Sequence, residues 1–517
     1  MPSVNTQKYM IGVDIGTTST KAVLFKENGE LVAKSGGEYP LLTPSPSIAE
    51  QDPEQIFQTV ITSVKEVMVS SGINDTDVLF VSFSSAMHSV IAMDKDGKPL
   101  TRCITWADNR SAPYSTLLKN DMNGHELYLR TGTPIHPMSP ITKLMWLRQE
   151  EQDIFKNTAK FISIKEYIFY KLFGQYVVDH SIASATGMMN LKTLEWDHEA
   201  LDIAGVTAEQ LSQLVPTTHI IEGLNAGYAA AMMLPASLPF VVGASDGVLS
   251  NLGVDATKPG IVAATIGTSG AIRTVVNEPM TDPKGRIFCY ALTEDKWVIG
   301  GPVNNGGMIF RWVRDQLAAS EVETAKRLGI SPYDVLTKIA ERVPPGSNGL
   351  LFHPYLTGER APLWDPNARG SFFGLTLNHQ KEHMIRSVLE GVIFNMYMVM
   401  LAMEEQVGRP SVIHATGGFA RSPIWRQMMA DIFDQRVIVP ESYESSCLGA
   451  VVLGLYATGR TDTLDIVGRM VGGTYEHRPI EKNAGLYKDL LPIFIRISRK
   501  LEEDYEAIAE FQRRQEE

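Results

Sequence analysis

The feature that most constrains the fold is a motif that occurs twice, about half a chain apart. The first copy runs from Met10 to Val23 and the second from Gly260 to Arg273. Each copy has an apolar strand, a turn of glycine with threonine or serine, and a second β-rich run. Because such a repeat indicates duplication, the sequence predicts an α/β fold with two related lobes and a cleft between them. A boundary near residues 247–258 predicts lobes 1–250 and 251–517.

Helical periodicity marks several later segments. The predicted helices are Pro53–Ser70, Ile141–Gln149, Lys165–Phe173, Lys381–Glu405, Ser422–Phe433 and Leu448–Ala457, with a charged amphipathic helix from Tyr487. The stretch from Gly223 to Ser245 carries no charge, but Pro235 and Pro239 interrupt it. It therefore predicts a buried helix, turn and strand instead of a membrane span.

Composition and charge limit the class of protein. The 517 residues are 44% hydrophobic and 21% charged, which is typical of a well-packed globular enzyme. The formal net charge is −12 and no block of like charges occurs, so we expect neither nucleic acid nor a membrane as partner. Cys103, Cys289 and Cys447 form no Cys-x-x-Cys pair, and the N-terminal residues lack an apolar signal core. We therefore expect a cytoplasmic protein without disulfides, with a small-molecule substrate and with homodimer formation left open.

Two glycine turns have the chemistry of phosphate binding. Gly16-Thr17-Thr18 and Gly267-Thr268-Ser269-Gly270 combine backbone N–H donors, small side chains and hydroxyl groups. Each turn alone is more typical of an ordinary hairpin, but two copies at matching places favour one polyphosphate ligand. Asp14, directly before the first turn, is a candidate for holding Mg²⁺ through water, because Mg²⁺ prefers oxygen ligands and keeps much of its hydration shell. A turn-capping carboxylate is the alternative for Asp14.

Two further candidate sites follow strand-like runs. The pair Gly417-Gly418 lies between the strand-like Ser411–His414 and a following helix, so backbone and a helix N-terminus can approach a nucleotide there. An ordinary tight connection explains this pair equally well. Asp246 follows the apolar run that begins at Phe240, and it can accept a hydroxyl proton as that oxygen attacks phosphorus. An N-cap for the segment from Gly247 is the alternative for Asp246.

Two long segments resemble the signatures of the FGGY carbohydrate kinases. Met138–Glu150 is similar to the first signature, and Gly370–Leu375 with His383–Glu390 is similar to the second. Together with the glycine turns, the resemblance covers the chain from roughly Tyr9 to Gly454. It implies an actin-like, ribonuclease H-like ATPase fold whose two lobes close over a sugar and ATP with Mg²⁺.

The resemblance also implies a role for each candidate residue. Asp246 is the expected general base, and Asp14 is the expected metal-holding carboxylate. The other expected contacts are Thr17, Thr18, Gly267 and Thr268 for the phosphates, Gly417, Gly418 and Arg421 for adenosine, and Met87, His88, Trp106, Asp108 and Asp246 for the sugar.

The substrate is predicted from a few short runs. Glycerol kinases carry an Arg-Glu pair where this chain has Met87-His88, and this difference disfavours glycerol as the substrate. The Met-His pair is similar to the pair in xylulose kinases. Ala244–Gly253, Thr105–Arg110 and Ile135–Met138 look most like the gluconate kinases of the family. We therefore expect gluconate, with xylulose as the alternative. The expected donors to a gluconate carboxylate are His88, His136, Arg110 and Lys143. A non-catalytic sensor of sugar or nucleotide on the same scaffold also stays open, because a fold does not fix a function.

Overall fold

The computed structural model describes residues 7–440 and 444–516. In this part of the chain the strands are β1 (Tyr9–Ile15), β2 (Ser19–Lys26), β3 (Leu31–Glu38), β4 (Glu50–Gln51), β5 (Val78–Ser85), β6 (Ile91–Met93), β7 (Cys103–Ile104), β8 (Lys160–Ile162), β9 (Val177–Asp179), β10 (Met189–Asn190), β11 (Glu195–Trp196), β12 (Gln213–Val215), β13 (Ile220–Ile221), β14 (Phe240–Ser245), β15 (Ile261–Ile266), β16 (Gly270–Val276), β17 (Phe288–Thr293), β18 (Lys296–Val303), β19 (Leu351–His353), β20 (Ser371–Phe373), β21 (Val412–Thr416), β22 (Val437–Pro440) and β23 (Thr474–His477).

The helices of the same ranges are α1 (Pro53–Ser71), α2 (Ala112–Asp121), α3 (Gly124–Thr131), α4 (Pro140–Glu150), α5 (Gln152–Asn157), α6 (Ile164–Phe173), α7 (His180–Ser184), α8 (His198–Ala204), α9 (Ala226–Met232), α10 (Asp246–Leu252), α11 (Gly307–Trp312), α12 (Ala319–Leu328), α13 (Pro332–Ala340), α14 (Lys381–Val407), α15 (Pro423–Phe433), α16 (Ser445–Ala457) and α17 (Glu481–Glu516). All the predicted helices are present, and the largest difference in a starting residue among the six bounded ones is at α16, which begins at Ser445 instead of Leu448.

The central sheet of the first unit has the strand order β13-β14-β5-β1-β2-β3. Strands β14, β5 and β1 are parallel, and β1, β2 and β3 form an antiparallel meander. The apolar residues of β1 and β2 are buried almost without exception, because this sheet is covered by helices. Helix α1 packs against β2 and β3. Its first turn is fixed by Asp52, whose carboxylate accepts a 2.9 Å hydrogen bond from the Glu54 N–H.

The second unit repeats this topology. Its strands β22, β21 and β15 are parallel and β16 runs antiparallel beside β15, so the order β22-β21-β15-β16 reproduces β14-β5-β1-β2. The repeat confirms the duplication that the two sequence motifs predicted. Helix α14 forms the core of this unit. It is long and apolar enough to cross a membrane, but 83% of its most apolar stretch of 18 residues is buried within the protein. Such burial is typical of a core helix.

The two compact units are not two continuous halves of the chain. Among the described residues, the first contains 7–257, 276–299 and 444–472, and the second contains 258–275, 300–440 and 473–516. The predicted lobes 1–250 and 251–517 divide the chain at a single point, so they place the segments 276–299 and 444–472 with the second lobe. One of them, helix α16, packs against β1, β5 and α10. The contact is so close that a Cβ atom on Gly12 of β1 would overlap the carbonyl of Cys447.

Candidate active site

Three parallel strands of the first unit end at the same edge of the sheet. Ile15 of β1 pairs with Ser85 of β5, and Ser85 pairs with Ser245 of β14. The residues that follow these strand ends are the turn Gly16-Thr17-Thr18, the pair Met87-His88 and Asp246. In open α/β sheets, ligands bind beyond the carboxyl ends of the strands. The fold therefore brings three of the predicted site segments to one sheet edge.

The first glycine turn is held by hydrogen bonds from outside the hairpin. The hydroxyl of Tyr39 donates a 2.7 Å hydrogen bond to the carbonyl of Gly16. The indole Nε1 of Trp106 donates one of 2.8 Å to the hydroxyl of Thr17. Thr17 is half-buried and Thr18 is exposed. The turn thus has a fixed backbone with an accessible tip, as a phosphate contact requires.

Asp14 lies at the end of β1 and is partly buried. Its Oδ1 accepts a 2.7 Å hydrogen bond from the hydroxyl of Ser84 on β5. Burial raises the pKa of Asp14, although the Ser84 bond and the positive charge of Lys21 oppose the rise. Among the described residues no group of three or more His, Cys, Asp or Glu side chains is arranged as a metal site. A single carboxylate fits a cation held mainly through water, and it does not fit a closed metal cage.

Asp246 is the first residue of α10. Its Oδ1 accepts a 2.6 Å hydrogen bond from the N–H of Gly247. The carboxylate therefore contacts the backbone at the start of the helix, which is the contact that the alternative interpretation, an N-cap for the segment from Gly247, requires. Asp246 itself is half-buried, whereas the preceding Ser245 is completely buried. A half-buried carboxylate directly after a buried strand is well placed to meet a ligand at the sheet edge.

His88 has a conformation that is rare for a residue with a side chain. Its φ is 70°, in the left-handed region. The ring Nδ1 lies 3.0 Å from the carbonyl oxygen of Ala185, and Nε2 lies 3.4 Å from the hydroxyl of Tyr290. Because only a protonated nitrogen can bind a carbonyl oxygen, Nδ1 carries a proton. The carbonyl of His88 in turn accepts a 3.0 Å hydrogen bond from Nζ of Lys143.

Asp108 is committed to the protein itself. It is buried, and its Oδ2 accepts hydrogen bonds from the Ala49 N–H at 2.9 Å and from Arg110 at 2.8 Å. Arg110 also binds Glu50 at 2.5 Å and lies over the ring of Trp146, 4.5 Å from its centroid. The structure therefore places Asp108 in an ion-pair network with Arg110 and Glu50.

The predicted donors for a substrate carboxylate have protein partners as well. Nζ of Lys143 donates to the carbonyls of His88 and Met138, and burial lowers the pKa of Lys143 to about 7. Nδ1 of His136 accepts a 3.1 Å hydrogen bond from the N–H of Met138. Arg110 binds two carboxylates. These contacts stabilise the loop around the candidate site, and they show that Lys143, His136 and Arg110 each have a partner within the protein.

In the second unit, the turn after β15 also joins two antiparallel strands, but it closes over fewer residues than the first turn. The N–H of Gly267 donates to the carbonyl of Ser269, two residues further on, at 2.9 Å, whereas the N–H of Gly16 donates to the carbonyl of Ser19, three residues further on, at 2.9 Å. The backbone N–H of Gly307 donates a 2.7 Å hydrogen bond to the carbonyl of Gly267. Thr268 is exposed.

The glycine pair lies beside this turn. Strand β21 is parallel to β15, so Gly417 follows Thr416 at the level of Ile266. Gly417 has a φ of 105°, and a Cβ atom there would overlap the carbonyl of Ile266. Gly418 has open space where a Cβ would be, and Arg421 is exposed at the end of the next helical turn. The second unit thus brings together Gly267, Thr268 and Gly417.

The sequence interpretation missed the loop that supports the second turn. Gly306-Gly307 lies against it, and the preceding Asn304 and Asn305 are bound by the buried Glu359. The carboxylate of Glu359 accepts from the Asn304 N–H at 2.5 Å and from Nδ2 of Asn305 at 2.9 Å. Burial raises the pKa of Glu359, and these hydrogen bonds oppose the rise. The sequence signal that could have pointed to this loop is the pair Gly306-Gly307, which follows a β-rich run.

Comparison with known proteins identifies the family. The N-terminal domain of the FGGY family of carbohydrate kinases matches residues 9–253, and the C-terminal domain matches residues 262–458. The chain belongs to the FGGY family of carbohydrate kinases. It is 62% identical to the gluconokinase of Bacillus subtilis (strain 168) over 506 residues, which are 98% of each chain. Two solved structures from Lactobacillus acidophilus, one of a gluconate kinase and one of a ligand-bound xylulose kinase, are each 39% identical with a TM-score of 0.91, and each covers 97% of this chain and 100% of its own.

Membership of the FGGY family confirms the expected actin-like α/β fold. The two signature segments that carried the resemblance make buried contacts within the protein. The first forms α4, whose Trp146 packs under Arg110. The second includes Arg386 and Glu390 of α14, a buried ion pair of 2.7 Å. In this FGGY kinase, therefore, both signature segments contribute to the packing of the protein, and the first also carries Lys143, which binds the carbonyl of His88.

Proposed function

We propose that this chain is a gluconate kinase, which transfers the γ-phosphate of ATP to the 6-hydroxyl of D-gluconate and releases ADP and 6-phosphogluconate. The observation that carries the proposal is the position of Asp246. Its carboxylate follows β14 at the sheet edge shared with Gly16-Thr17-Thr18 and Met87-His88. The 62% identity to a gluconokinase along almost the whole chain supports gluconate as the acceptor.

Asp246 acts as the general base in this proposal. As the 6-oxygen of gluconate forms its bond to the γ-phosphorus, the bond from phosphorus to the β,γ-bridging oxygen breaks, and the hydroxyl proton passes to the Asp246 carboxylate. Met87, His88 and Trp106 contact the sugar and orient the hydroxyl, while Asp108 acts through Arg110 and the Ala49 backbone. The candidate hydrogen-bond donors to the substrate carboxylate remain His88, His136, Arg110 and Lys143. The orientation of the acceptor supplies much of the rate, since phosphoryl transfer needs little covalent help from the protein.

The nucleotide contacts are assigned by unit. In the first unit, Thr17 and Thr18 offer backbone and hydroxyl donors to phosphate oxygens; in the second, Gly267 and Thr268 do the same. The adenosine contacts are Gly417, Gly418 and Arg421. Asp14 would hold Mg²⁺ through water, and bound Mg²⁺ would neutralise charge on the phosphate oxygens.

Xylulose is the second candidate substrate. Met87-His88 is similar to the pair in xylulose kinases, and the xylulose kinase structure from Lactobacillus acidophilus superposes as well as the gluconate kinase structure does. ADP release should be measured with ATP and Mg²⁺ in the presence of gluconate, xylulose, ribulose, glycerol or no sugar. Acceleration by gluconate above all others supports the proposal. Acceleration by xylulose alone supports the alternative, and no acceleration by any sugar supports the sensor.

We further propose a cytoplasmic location and no nucleic-acid or membrane partner. The three cysteines are buried free thiols, and the long apolar helix α14 is buried in the second unit. Homodimer formation is tested by light scattering of the purified protein, which distinguishes a monomer from a dimer by mass.

A further inference from the structure

Side chains bind the last residues of β14 along the edge of the strand that pairs with β13. Strand β13 pairs with β14 only at Phe240 and Val241. Beyond that pair, the backbone of Ser245 donates a 3.1 Å hydrogen bond to Oγ of Ser181, and the hydroxyl of Ser181 donates one of 2.9 Å to Oγ of Ser245. Both serines are completely buried. Ser245 is the residue directly before Asp246, so this double contact fixes the peptide from which the carboxylate projects.

A buried ion pair fixes the same segment from a second direction. Nζ of Lys165 donates to Oδ2 of Asp179 at 2.8 Å and to the carbonyl of Ala244 at 3.3 Å. The side chains of Lys165 and Asp179 are each 1% exposed. Oδ1 of Asp179 accepts a 3.0 Å hydrogen bond from the N–H of Ile182 and so begins helix α7. The pair therefore joins the end of β14 to the start of α7, the helix that carries Ser181.

The other end of α7 contacts the sugar side of the site. The carbonyl of Ala185, immediately after the helix, binds Nδ1 of His88 at 3.0 Å. One five-residue helix thus connects the segment before Asp246 with the ring of His88. Nothing in the sequence pattern around Asp246 or His88 points to this helix.

We propose that Ser181 is a positioning residue for the reaction: its hydroxyl holds Ser245 so that Asp246 projects toward the acceptor hydroxyl, and the Lys165–Asp179 pair holds α7 in the place from which Ser181 can do so. The inference rests on the proposed role of Asp246 as general base. Ser181 does not touch the reacting atoms, and its effect passes through Ser245, whose backbone N–H and hydroxyl it binds.

The test compares Ser181→Ala with Ser184→Ala. Ser184 is a matched control, because it is on the same helix, is equally buried, and also makes two hydrogen bonds, accepting from the Ala291 N–H at 3.1 Å and donating to the Ser181 carbonyl at 2.8 Å. It has no hydrogen bond to Ser245 among the described contacts. Both variants lose hydrogen bonds of the same kind, so both should lose thermal stability to a similar degree.

The variants should differ in turnover. We expect Ser181→Ala to lower kcat about 10- to 100-fold with KM values for sugar and ATP within about threefold of wild type, because a displacement of the base by about 1 Å has an effect of this size. Ser184→Ala should keep kcat within about threefold. Equal kcat losses in the two variants, or a loss confined to KM, would overturn the positioning role. If Ser181→Ala does not fold, Ser181→Cys keeps the side-chain size with a weaker donor, and kcat equal to wild type in that variant would overturn the role.

The outcome is separable from the proposed function. The comparison uses whichever sugar the wild-type protein phosphorylates, so a wild type that turns over xylulose instead of gluconate changes the substrate and leaves the Ser181 test intact. Full activity of Asp246→Asn would remove the base on which the inference rests, whatever Ser181→Ala does.

Discussion

Nε1 of Trp106 donates a 2.8 Å hydrogen bond to the hydroxyl of Thr17. The bond joins a predicted sugar contact to a predicted phosphate contact within the first unit. A change in either side chain should therefore be felt by both substrates. This coupling could not be derived from the sequence, in which 89 positions separate the two residues.

The first prediction is a double-mutant cycle on this pair. Trp106→Phe and Thr17→Val should each raise KM for sugar and for ATP about fivefold, since a hydrogen bond of this kind contributes about 1 kcal/mol. The double variant should be no worse than the poorer single variant, because the shared bond is lost only once. Steady-state kinetics with each substrate varied gives a KM for sugar and a KM for ATP for each of the four proteins of the cycle. Additive losses would show that the two contacts act independently.

The second prediction concerns the proposed base. Asp246→Asn keeps the shape of the side chain and the hydrogen bond from the Gly247 N–H to its oxygen. We expect kcat to fall about 10²- to 10⁴-fold, the range of general-base contributions, with an unchanged melting temperature and unchanged ATP affinity. Single-turnover measurement and ATP binding by calorimetry check this. Near-normal turnover would end the assignment of Asp246.

The third prediction is a trade of stability against activity at Asp14. Because burial raises the pKa of this carboxyl in the folded protein, folding favours its protonated form, and its contribution to stability is lost as the pH rises through the folded-state pKa. Asp14→Asn should therefore raise the melting temperature at pH 7.5 and lower Mg²⁺-supported turnover about 10- to 100-fold. A lower melting temperature together with full turnover would contradict both parts.

The fourth prediction uses two glycines of the second unit. Gly417→Ala would place a methyl group against the Ile266 carbonyl at a positive φ, so it should shift the backbone beside the Gly267 turn, lower stability and raise KM for ATP. Gly485→Ala, in helix α17 where the same methyl has open space, should be neutral or stabilise the protein by about 0.5–1 kcal/mol. Thermal unfolding and ATP titration compare the two. Equal behaviour would show that the close approach at Gly417 has no role.

The fifth prediction is the pH dependence of stability at Lys143. An unfolded lysine keeps its proton up to about pH 10.4, whereas burial lowers the pKa of folded Lys143 to about 7. Between these values the unfolded state binds more protons, so the free energy of unfolding should rise with pH by about 1 kcal/mol per pH unit from this residue. Lys143→Met should flatten the dependence between pH 7.5 and 9.5 in urea denaturation, while exposed Lys192→Met should leave it unchanged. A slope unaffected by Lys143→Met would refute the shift.

Local chemistry explains what could be predicted from the sequence. Both glycine turns join antiparallel strands, as predicted, because the residues of a short hairpin turn largely determine it by themselves. The place of Asp246 directly after a strand could be predicted because an apolar run followed by a carboxylate is visible in one continuous stretch of sequence. The duplication was visible for the same reason.

Long-range pairing explains what could not be predicted. Ser84 meets Asp14 only because β5 lies parallel to β1 in one particular register. The resemblance implies that Asp108 contacts the sugar, but it could not show that the oxygens of Asp108 bind Arg110 and the backbone of Ala49. Which partner a buried polar group finds is decided by the packing of distant segments, and no short motif encodes it.

The place of helix α16 in the first unit has a consequence for biosynthesis. A ribosome delivers the chain from the N-terminus, and domains commonly fold as they emerge. Here the packing on β1 and β5 is completed only after residues 445–457 have been made, because α16, which packs on both strands, comes from that late segment. We therefore expect the site-bearing unit to reach its final packing only near the end of translation.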